Sequence, residues 1–491
     1  MREGRFRSFV ITPIGVSMIS ALPSGRELHP LGSYMTQEEV GLAEPASRPN
    51  VCHDALSEAR RRVIAAGQWS PNQLLGRRWP IGCVALEITQ RCNLDCAACY
   101  LSEHSEAVKD TPIEELFRRI NLIFKHYGPH TNVQVTGGDP TLRKREELVD
   151  IVRRISQKGM RPALFTNGIR AKRELLVELV EAGLVDVAFH VDLTQGRKGY
   201  ESEVALHAMR QDYIERARGL PLSVLFNTTV FDGNFEEIPK IVEFFIRNCD
   251  VVRLASFQLQ AETGRGTLGR RSEAITVRSV QEQVEKGARS SISFDALRVG
   301  HSRCNRYGMI FVANNRAYDA LDDRRALEAV LERMPLLSFD RRSRSKAIAT
   351  FARGILSSPY LSFKAVSWLL RKAWQARSDL WAARGRVNKL SFVIHNFMDA
   401  CLLERDRLDA CSFMTMTQRG PISMCLHNAK RDAFILAPIK LGGPDGEHIW
   451  HPCSGETTEN PSVMRRSREP NGRTAKGQLG RAAKTAASAA R

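Results

Sequence analysis

Three cysteines, Cys92, Cys96 and Cys99, stand at C-x3-C-x2-C spacing in Cys92-Asn93-Leu94-Asp95-Cys96-Ala97-Ala98-Cys99, directly behind a strand-like run from Cys83 to Thr89. Three thiolates on one short loop can hold three corners of an iron-sulfur cubane and leave the fourth iron open to a small molecule. A zinc knuckle would pair C-x2-C with a second pair of Cys or His close by, and the residues that follow offer only His104. A disulfide framework fits less well, because the eleven cysteines are an odd number spread over 491 residues and such frameworks belong to small secreted chains. The spacing therefore favours a cluster cradle.

Other residues with chemical potential are spread further along the chain. Thr136-Gly137-Gly138-Asp139-Pro140 places two glycines where a backbone can approach a ligand without a Cβ in the way, exposing peptide groups to an ammonium or carboxylate. The same residues also suit an ordinary strand-to-helix turn. Asn167, His190 and Asp192, and Asn227-Thr228-Thr229, are polar residues that follow or end apolar runs; each alone is more often a cap or turn. Cys304, Cys411 and Cys425 could meet as ligands of a second cluster, or be buried as small apolar residues. Thr263-Gly264-Arg265-Gly266 could cradle an anion, with a solvated loop as the default.

The elements that must position these residues follow a regular pattern. Strand-like runs recur at Cys83 to Thr89, Asn132 to Thr136, Arg161 to Thr166, Asp186 to Val191, Leu222 to Val230 and Val251 to Gln260. Between them, Thr111-Pro112 opens a helix with Glu114 and Glu115 in its first turn and Leu116, Ile120, Ile123 and Phe124 on one face. Further helices are expected at roughly Lys144 to Lys158, Ala171 to Ala182, Glu201 to Arg218 and Phe235 to Arg247, with Gly159, Gly183 and Gly219 just past three of them. Such alternation implies an α/β fold with a parallel sheet, either doubly wound or a partial barrel. In both, ligands collect at the C-terminal ends of the strands, where the cysteines lie.

The cysteine spacing, followed by Gly137-Gly138-Asp139-Pro140 at the end of the next strand, resembles the radical S-adenosylmethionine (SAM) superfamily over about residues 80 to 260. The resemblance implies a partial (β/α)6 TIM-like barrel with a 4Fe-4S cluster on Cys92, Cys96 and Cys99. It implies SAM chelated to the unique iron through its amino and carboxylate groups, with the Gly137 to Pro140 loop on the amino group. Tyr100, Asn167, His190 and Asp192 are the other candidate cofactor-binding residues. Tyr100 follows Cys99, whereas the superfamily often has an aromatic residue just before the third cysteine, here Ala98; Asp139 stands where Glu is commoner. The implied chemistry is reductive cleavage of SAM to methionine and a 5′-deoxyadenosyl radical that attacks an unactivated C–H bond. The implied partner is a low-potential electron donor of flavodoxin or ferredoxin type. Arg91, beside Cys92, is either a tuner of the cluster or a solvated surface residue.

Later residues bear on the substrate. Asn396-Phe397-Met398-Asp399, Cys411, Arg419-Gly420-Pro421, Cys425 and Asn428 resemble a narrower branch, the tetraether lipid synthases and related enzymes that methylate or join sp3 carbons. From Arg341 to Lys389 there are twelve Lys or Arg and one acid, Asp379, interleaved with Phe351, Phe363, Trp368, Trp374 and Trp381. Such a basic amphipathic stretch suits an anionic membrane surface; nucleic acid, or a helical cap with a solvated basic face, are the alternatives. The formal net charge of +18 agrees with an anionic partner, and 43% hydrophobic residues support a large core.

These readings divide the chain into an N-terminal extension (1–80), the barrel (81–262), a loop-rich segment (263–340), a basic helical segment (341–390), a cysteine-containing segment (391–454) and a disordered basic tail (455–491). The apolar run from Phe9 to Leu22 is broken by Pro13 and Gly15 and too short to span a bilayer, so the expected location is cytoplasmic and peripheral to the membrane. Three functions compete: a radical SAM enzyme acting on a lipid, a peptide-modifying radical SAM maturase with an auxiliary cluster, and a non-catalytic iron-sulfur protein that binds nucleic acid.

Overall fold

A computed structural model describes residues 54–334, 344–443 and 446–459. The Phe9 to Leu22 run and the tail beyond 459 lie outside the described residues. Helix α1 (Ala55–Ala65), capped by Asp54, precedes strand β1 (Cys83–Thr89). Every residue of β1 is buried, as an apolar run does when it has neighbours on both edges and cover on both faces.

The alternation then follows the sequence pattern: α2 (Ile113–Tyr127), β2 (Asn132–Gly137), α3 (Arg145–Gln157), β3 (Arg161–Thr166), α4 (Arg173–Glu181), β4 (Asp186–His190), α5 (His207–Ala217), β5 (Ser223–Val230), α6 (Ile238–Arg247) and β6 (Val252–Leu259). Strands β1 to β6 pair in order, all parallel. Leu116, Ile120 and Ile123 of α2, and Leu148, Ile151, Val152 and Ile155 of α3, are fully or almost fully buried in the core that covers the sheet. The α/β class and the partial barrel hold.

The region after β6 is more regular than its sequence suggests. The stretch read as loop-rich contains α7 (Val277–Ala288), β7 (Asn305–Ala313), β8 (Arg316–Asp319) and α8 (Arg324–Arg333). Three helices follow, α9 (Arg344–Leu356), α10 (Pro359–Gln375) and α11 (Arg377–Ala382), and then β9 (Asn388–Asn396), α12 (Arg405–Asp409), β10 (Phe413–Thr417) and β11 (Gly420–Ser423). β9 adds parallel to β6 and β10 adds parallel to β1, with β7 and β8 antiparallel beyond β9 and β11 antiparallel beyond β10. The extension thus widens the sheet on both sides. Its strands escape a reading by β/α alternation because helices of unequal length separate them, although Leu390, Phe392 and Ile394 alternate into the core.

The chain ends its described part with α13 (Met424–Ala429), α14 (Asp432–Ile435) and a separate sheet of β12 (Ile439–Gly443), β13 (Gly446–Trp450) and β14 (Thr457–Thr458). β14 pairs with Ile449 and Trp450, so the stretch read as disordered from residue 455 begins with ordered backbone.

Candidate functional site

The cysteine loop leaves the C-terminal end of β1 and is held from several directions. The Ala97 amide donates to the Thr194 carbonyl beyond β4 at 2.6 Å, and the Ala97 carbonyl accepts from the Thr267 amide at 2.7 Å. Asn167 Nδ2, beyond β3, donates to Asn93 Oδ1 at 2.7 Å. Cys99 is close enough to raise the thiols of both Cys92 and Cys96, and Cys92 is close enough to raise that of Cys96. Burial pushes the Cys92 thiol up to about 11, with Asp139 and Cys99 acting the same way. Burial, then Cys99 and Asp192, push Cys96 well above its ordinary value. Metal loading must displace these protons and is therefore favoured by higher pH.

Among the described residues, no three His, Cys, Asp or Glu side chains close around a point as ligands of a single ion do. Cysteines on a cubane belong to different irons and stand further apart than ligands of one zinc. His104, the one nearby zinc candidate, instead shares a 2.7 Å hydrogen bond with Asp432.

The Gly137 to Pro140 loop presses on the strand that carries the cysteines. A Cβ on Gly137 would stand 2.0 Å from the Thr89 carbonyl oxygen, and one on Gly138 2.0 Å from that of Arg91. Only glycine permits this approach, which is sealed by the Gly138 amide to Thr89 at 2.9 Å and the Asp139 amide to Arg91 at 2.8 Å. Asp139 is 1% exposed, and its carboxylate accepts from the Thr141 amide and hydroxyl, the Thr166 hydroxyl and the Asn167 amide. The acid of this motif therefore ties the loop to β3. Pro140 is buried in the short turn that follows. Tyr100 donates to the Gly137 carbonyl at 2.6 Å and lies under the Arg431 guanidinium, 4.7 Å from its ring centre.

His190 and Asp192 close the same end of the sheet. Asp192 is fully buried, accepting from the Thr194 amide and hydroxyl through Oδ1 and from the Thr229 amide and His190 Nε2 through Oδ2, the last two at 2.7 Å. Burial favours the neutral ring of His190, but Asp192 outweighs it and raises the pKa. Asp192 thus acts as a strut, while His190 is the part-exposed member of the pair. Behind them the fully buried Glu203 and Arg210 form an ion pair, with Arg210 also donating to the Val191 carbonyl at 2.9 Å.

The arginine beside the first cysteine is not aimed at the cluster position. Arg91 pairs with Asp110 at 2.5 Å and donates to the Leu142 carbonyl at 2.9 Å. Arg265, in the stretch given a solvated default, is fully buried next to the Cys99 thiol. Its amide donates to the Leu101 carbonyl at 2.7 Å, and Gly264, at φ +59°, packs where a Cβ would lie 2.4 Å from the Tyr100 carbonyl carbon. The signal in the sequence was a single arginine between two glycines. Nη1 meets Glu106 at 3.1 Å; the guanidinium is near enough to Cys99 to interact with its thiol, but Nε and Nη2 make no hydrogen bond of ordinary distance and angle. Two orphaned donors on a buried cation beside three thiols fit an anionic group on those thiols, as a thiolate-held 4Fe-4S cluster is.

Cys304, Cys411 and Cys425 also come together. Burial pushes Cys425 up to about 12, with Cys411 and Cys304 adding to the shift, and Cys304 is raised by burial and by Cys411. Arg407 donates through Nε to Cys304 Sγ at 3.2 Å, and Cys411 Sγ donates to the Phe413 carbonyl at 3.0 Å. Cys83, buried at the start of β1, is near enough to Cys411 to be raised by it as well as by burial.

Residues 86–245 match the family described as the Radical SAM superfamily. The 7,8-dihydro-6-hydroxymethylpterin dimethyltransferase of Methanocaldococcus jannaschii is 30% identical over 186 residues, 37% of this chain and 36% of its own. The probable GTP 3',8-cyclase of Thermococcus kodakarensis is 30% identical over 210 residues, 42% of this chain and 66% of its own. The PqqA peptide cyclase of Bradyrhizobium diazoefficiens is 30% identical over 184 residues, 36% of this chain and 46% of its own. The chain spans between about one third and two thirds of the length of these curated relatives.

Proposed function

Because this chain carries a radical SAM domain over residues 86–245, we propose that it is an enzyme that removes a hydrogen atom from an unactivated carbon of an apolar, membrane-associated substrate, a lipid being the favoured class. A 4Fe-4S cluster with SAM on its open iron supplies one-electron cleavage of the sulfonium to methionine and a 5′-deoxyadenosyl radical, which becomes 5′-deoxyadenosine on taking the substrate hydrogen. An external low-potential reductant supplies the electron. In this reading Cys92, Cys96 and Cys99 hold the cluster. The Gly137 to Pro140 loop offers backbone to the SAM amino group, Asn167 anchors the cysteine loop, and His190 is the part-exposed partner of Asp192. The buried Asp192 and Glu203 networks keep that end of the sheet rigid and dry.

The observation that carries the substrate class is the outer face of α10 and α11. Phe363, Val366, Leu370, Trp374 and Trp381 are 72%, 55%, 66%, 70% and 86% exposed, and their spacing places them on one side of the helical run. The opposite side, with Leu361, Lys372 and Asp379, is buried. Asp322 holds both Arg371 and Lys372, leaving one net positive charge there, and Asp323 holds Lys364; Arg377 lies over Trp374, and Arg384 and Arg386 are exposed just beyond α11. Exposed aromatic side chains with a cationic border match an anionic bilayer surface. Among the described residues, no helix is long and apolar enough to cross a membrane.

Two measurements test this. The reconstituted protein, given SAM and dithionite without oxygen, should release 5′-deoxyadenosine, and Cys96→Ala should abolish that release. The protein should bind vesicles of equal parts phosphatidylglycerol and phosphatidylcholine, and Phe363→Ser with Trp374→Ser should weaken binding at least about tenfold, since each buried side chain contributes roughly 1.5–3 kcal/mol. Equal binding to phosphatidylcholine alone would remove the anionic-surface part of the reading, and no vesicle binding, or stronger binding to duplex DNA, would remove the membrane reading.

The gathering of Cys304, Cys411 and Cys425 favours a second reading, a peptide-modifying enzyme with an auxiliary cluster. Iron and sulfide analysis of wild type against a variant with all three changed to Ser decides whether a second centre exists. An altered peptide, with an unchanged lipid profile, in cells lacking the protein would select this reading over the lipid one.

A further inference from the structure

The loop that follows β6 folds back onto the cysteine loop. The Arg265 amide reaches Leu101, and the Thr267 and Leu268 amides both reach the Ala97 carbonyl, at 2.7 and 3.2 Å. This double attachment brackets Cys99 and delivers the Arg265 side chain into the protein interior, where it has no exposed surface. Glu106 takes Nη1 from the outer side at 3.1 Å and is itself part-exposed, whereas Nε and Nη2 have no hydrogen-bond partner.

Buried guanidinium groups ordinarily satisfy their donors, because an unpaired N–H in a low-dielectric interior forfeits the hydrogen bonds it made to water. Arg210 and Arg431, equally buried, each make several, Arg210 leaving Nε alone without a partner. Arg265 is placed differently: its backbone is tied to Leu101 and its neighbours Thr267 and Leu268 to Ala97, on either side of Cys99, while its Nε and Nη2 make no hydrogen bond. The next residue, Gly266, packs so closely on the cysteine loop that an added Cβ would stand 3.2 Å from the Cys99 amide nitrogen.

We propose that Arg265 is a positioning residue for the cluster: its Nε and Nη2 donate to the sulfur of Cys99 once that sulfur is a cluster thiolate, and its fixed charge raises the cluster's reduction potential. Reduction makes the cluster one unit more negative, so a cation held against one of its sulfurs stabilises the reduced form over the oxidised one. Hydrogen bonds to a ligand sulfur act in the same direction by withdrawing electron density. Arg407, on Cys304, shows the same pairing of a buried guanidinium with a thiol in this protein. The proposal rests on the reading of Cys92, Cys96 and Cys99 as cluster ligands and is independent of the substrate.

The test is an EPR-monitored redox titration of reconstituted wild type, Arg265→Gln and Arg265→Lys, with iron and sulfide counted in each and melting temperatures taken before reconstitution. Wild type without a cluster would defeat the cluster reading itself, separately from this proposal. With wild type loaded, Arg265→Gln should shift the oxidised-to-reduced ratio at a fixed potential at least tenfold toward oxidised, 59 mV for a one-electron couple. Arg265→Lys, which keeps charge without the forked donors, should fall between them. Before reconstitution, Arg265→Gln should melt at or above the wild-type temperature, because the arginine then carries unsatisfied donors. A loaded Arg265→Gln with the wild-type ratio overturns the proposal. So does a lowered melting temperature in both unloaded variants, since that marks Arg265 as a clamp of the loop alone.

Discussion

Arg431 donates through Nη1 to both carboxylate oxygens of Glu87, at 2.8 and 2.7 Å, and this pair fastens the C-terminal segment beneath the cysteine loop. Glu87 lies within β1, and Arg431 also donates to the Tyr100 carbonyl at 3.1 Å and to Asn428 at 2.9 Å. One guanidinium therefore spans the strand, the loop and the α13 region.

The pair predicts acid sensitivity. Burial pushes the Glu87 carboxyl up, but Arg431 and then His427 reverse this and bring it from 4.5 to about 2. A carboxylate depressed on folding stabilises the protein above its ordinary pKa, and that contribution is lost as pH falls from about 4.5 towards 2. Arg431→Met should destabilise the protein by roughly 3–5 kcal/mol in urea unfolding at neutral pH, because it leaves a buried carboxylate unpaired. Glu87→Gln with Arg431→Met should recover part of that loss.

His104 and Asp432 predict the opposite slope. The hydrogen bond to Asp432 raises the His104 pKa above 6.5 despite partial burial. A raised histidine contributes stability fully below its unfolded pKa and loses it as pH rises through the higher folded value. NMR titration of the His104 ring should give a pKa above 6.5 that falls in Asp432→Asn. Thermal stability of wild type should decline from pH 6 upward more steeply than that of His104→Gln; parallel profiles would show that the contact contributes nothing.

The first six strands and their helices were legible because the strands are apolar runs or, in β2, alternate with a period of two, and most of the helices carry an apolar stripe, two periods that a single chain displays openly. Cys92, Cys96, Cys99 and the paired glycines stand out in the sequence by spacing and type alone, and the structure adds that Gly137 and Gly138 press on the backbone of Thr89 and Arg91. β9 and β10 were not, since a strand that joins the sheet after a helical detour announces no partner. Arg265 was hidden for a related reason: glycine-flanked arginine reads as a solvent loop until the backbone contacts to Ala97 and Leu101 are known. Asp139 shows the limit within a recognised motif, because its carboxylate serves Thr141, Thr166 and Asn167 and its family resemblance alone does not say so.

If the Gly137 to Pro140 loop binds SAM as proposed, that use of Asp139 predicts that SAM binding and cluster loading can be separated. Asp139→Ala would strip the acceptor from four donors, at about 1–3 kcal/mol for each buried donor left unpaired, and would release the Gly137 to Pro140 loop from β3. Iron content should stay near wild type while SAM affinity falls at least tenfold by equilibrium dialysis. Loss of iron in step with SAM would show that the loop and the cradle fold as one unit.

Gly138 sets a sharper steric limit. An added Cβ would lie 2.0 Å from the Arg91 carbonyl oxygen and 2.4 Å from its carbonyl carbon, and both are backbone atoms one residue before Cys92. Relief requires the β1 exit or the β2 loop to move, and the 2.8 Å bond from the Asp139 amide to Arg91 cannot survive that movement unchanged. Gly138→Ala should therefore displace Cys92 relative to Cys96 and lower iron content, whereas Gly196→Ala, with no atom within 4 Å of the added Cβ, should load normally despite its positive φ. The contrast is read by iron and sulfide analysis with circular dichroism as the fold control: a fully loaded Gly138→Ala variant would mean that the cradle tolerates a shift at its first cysteine.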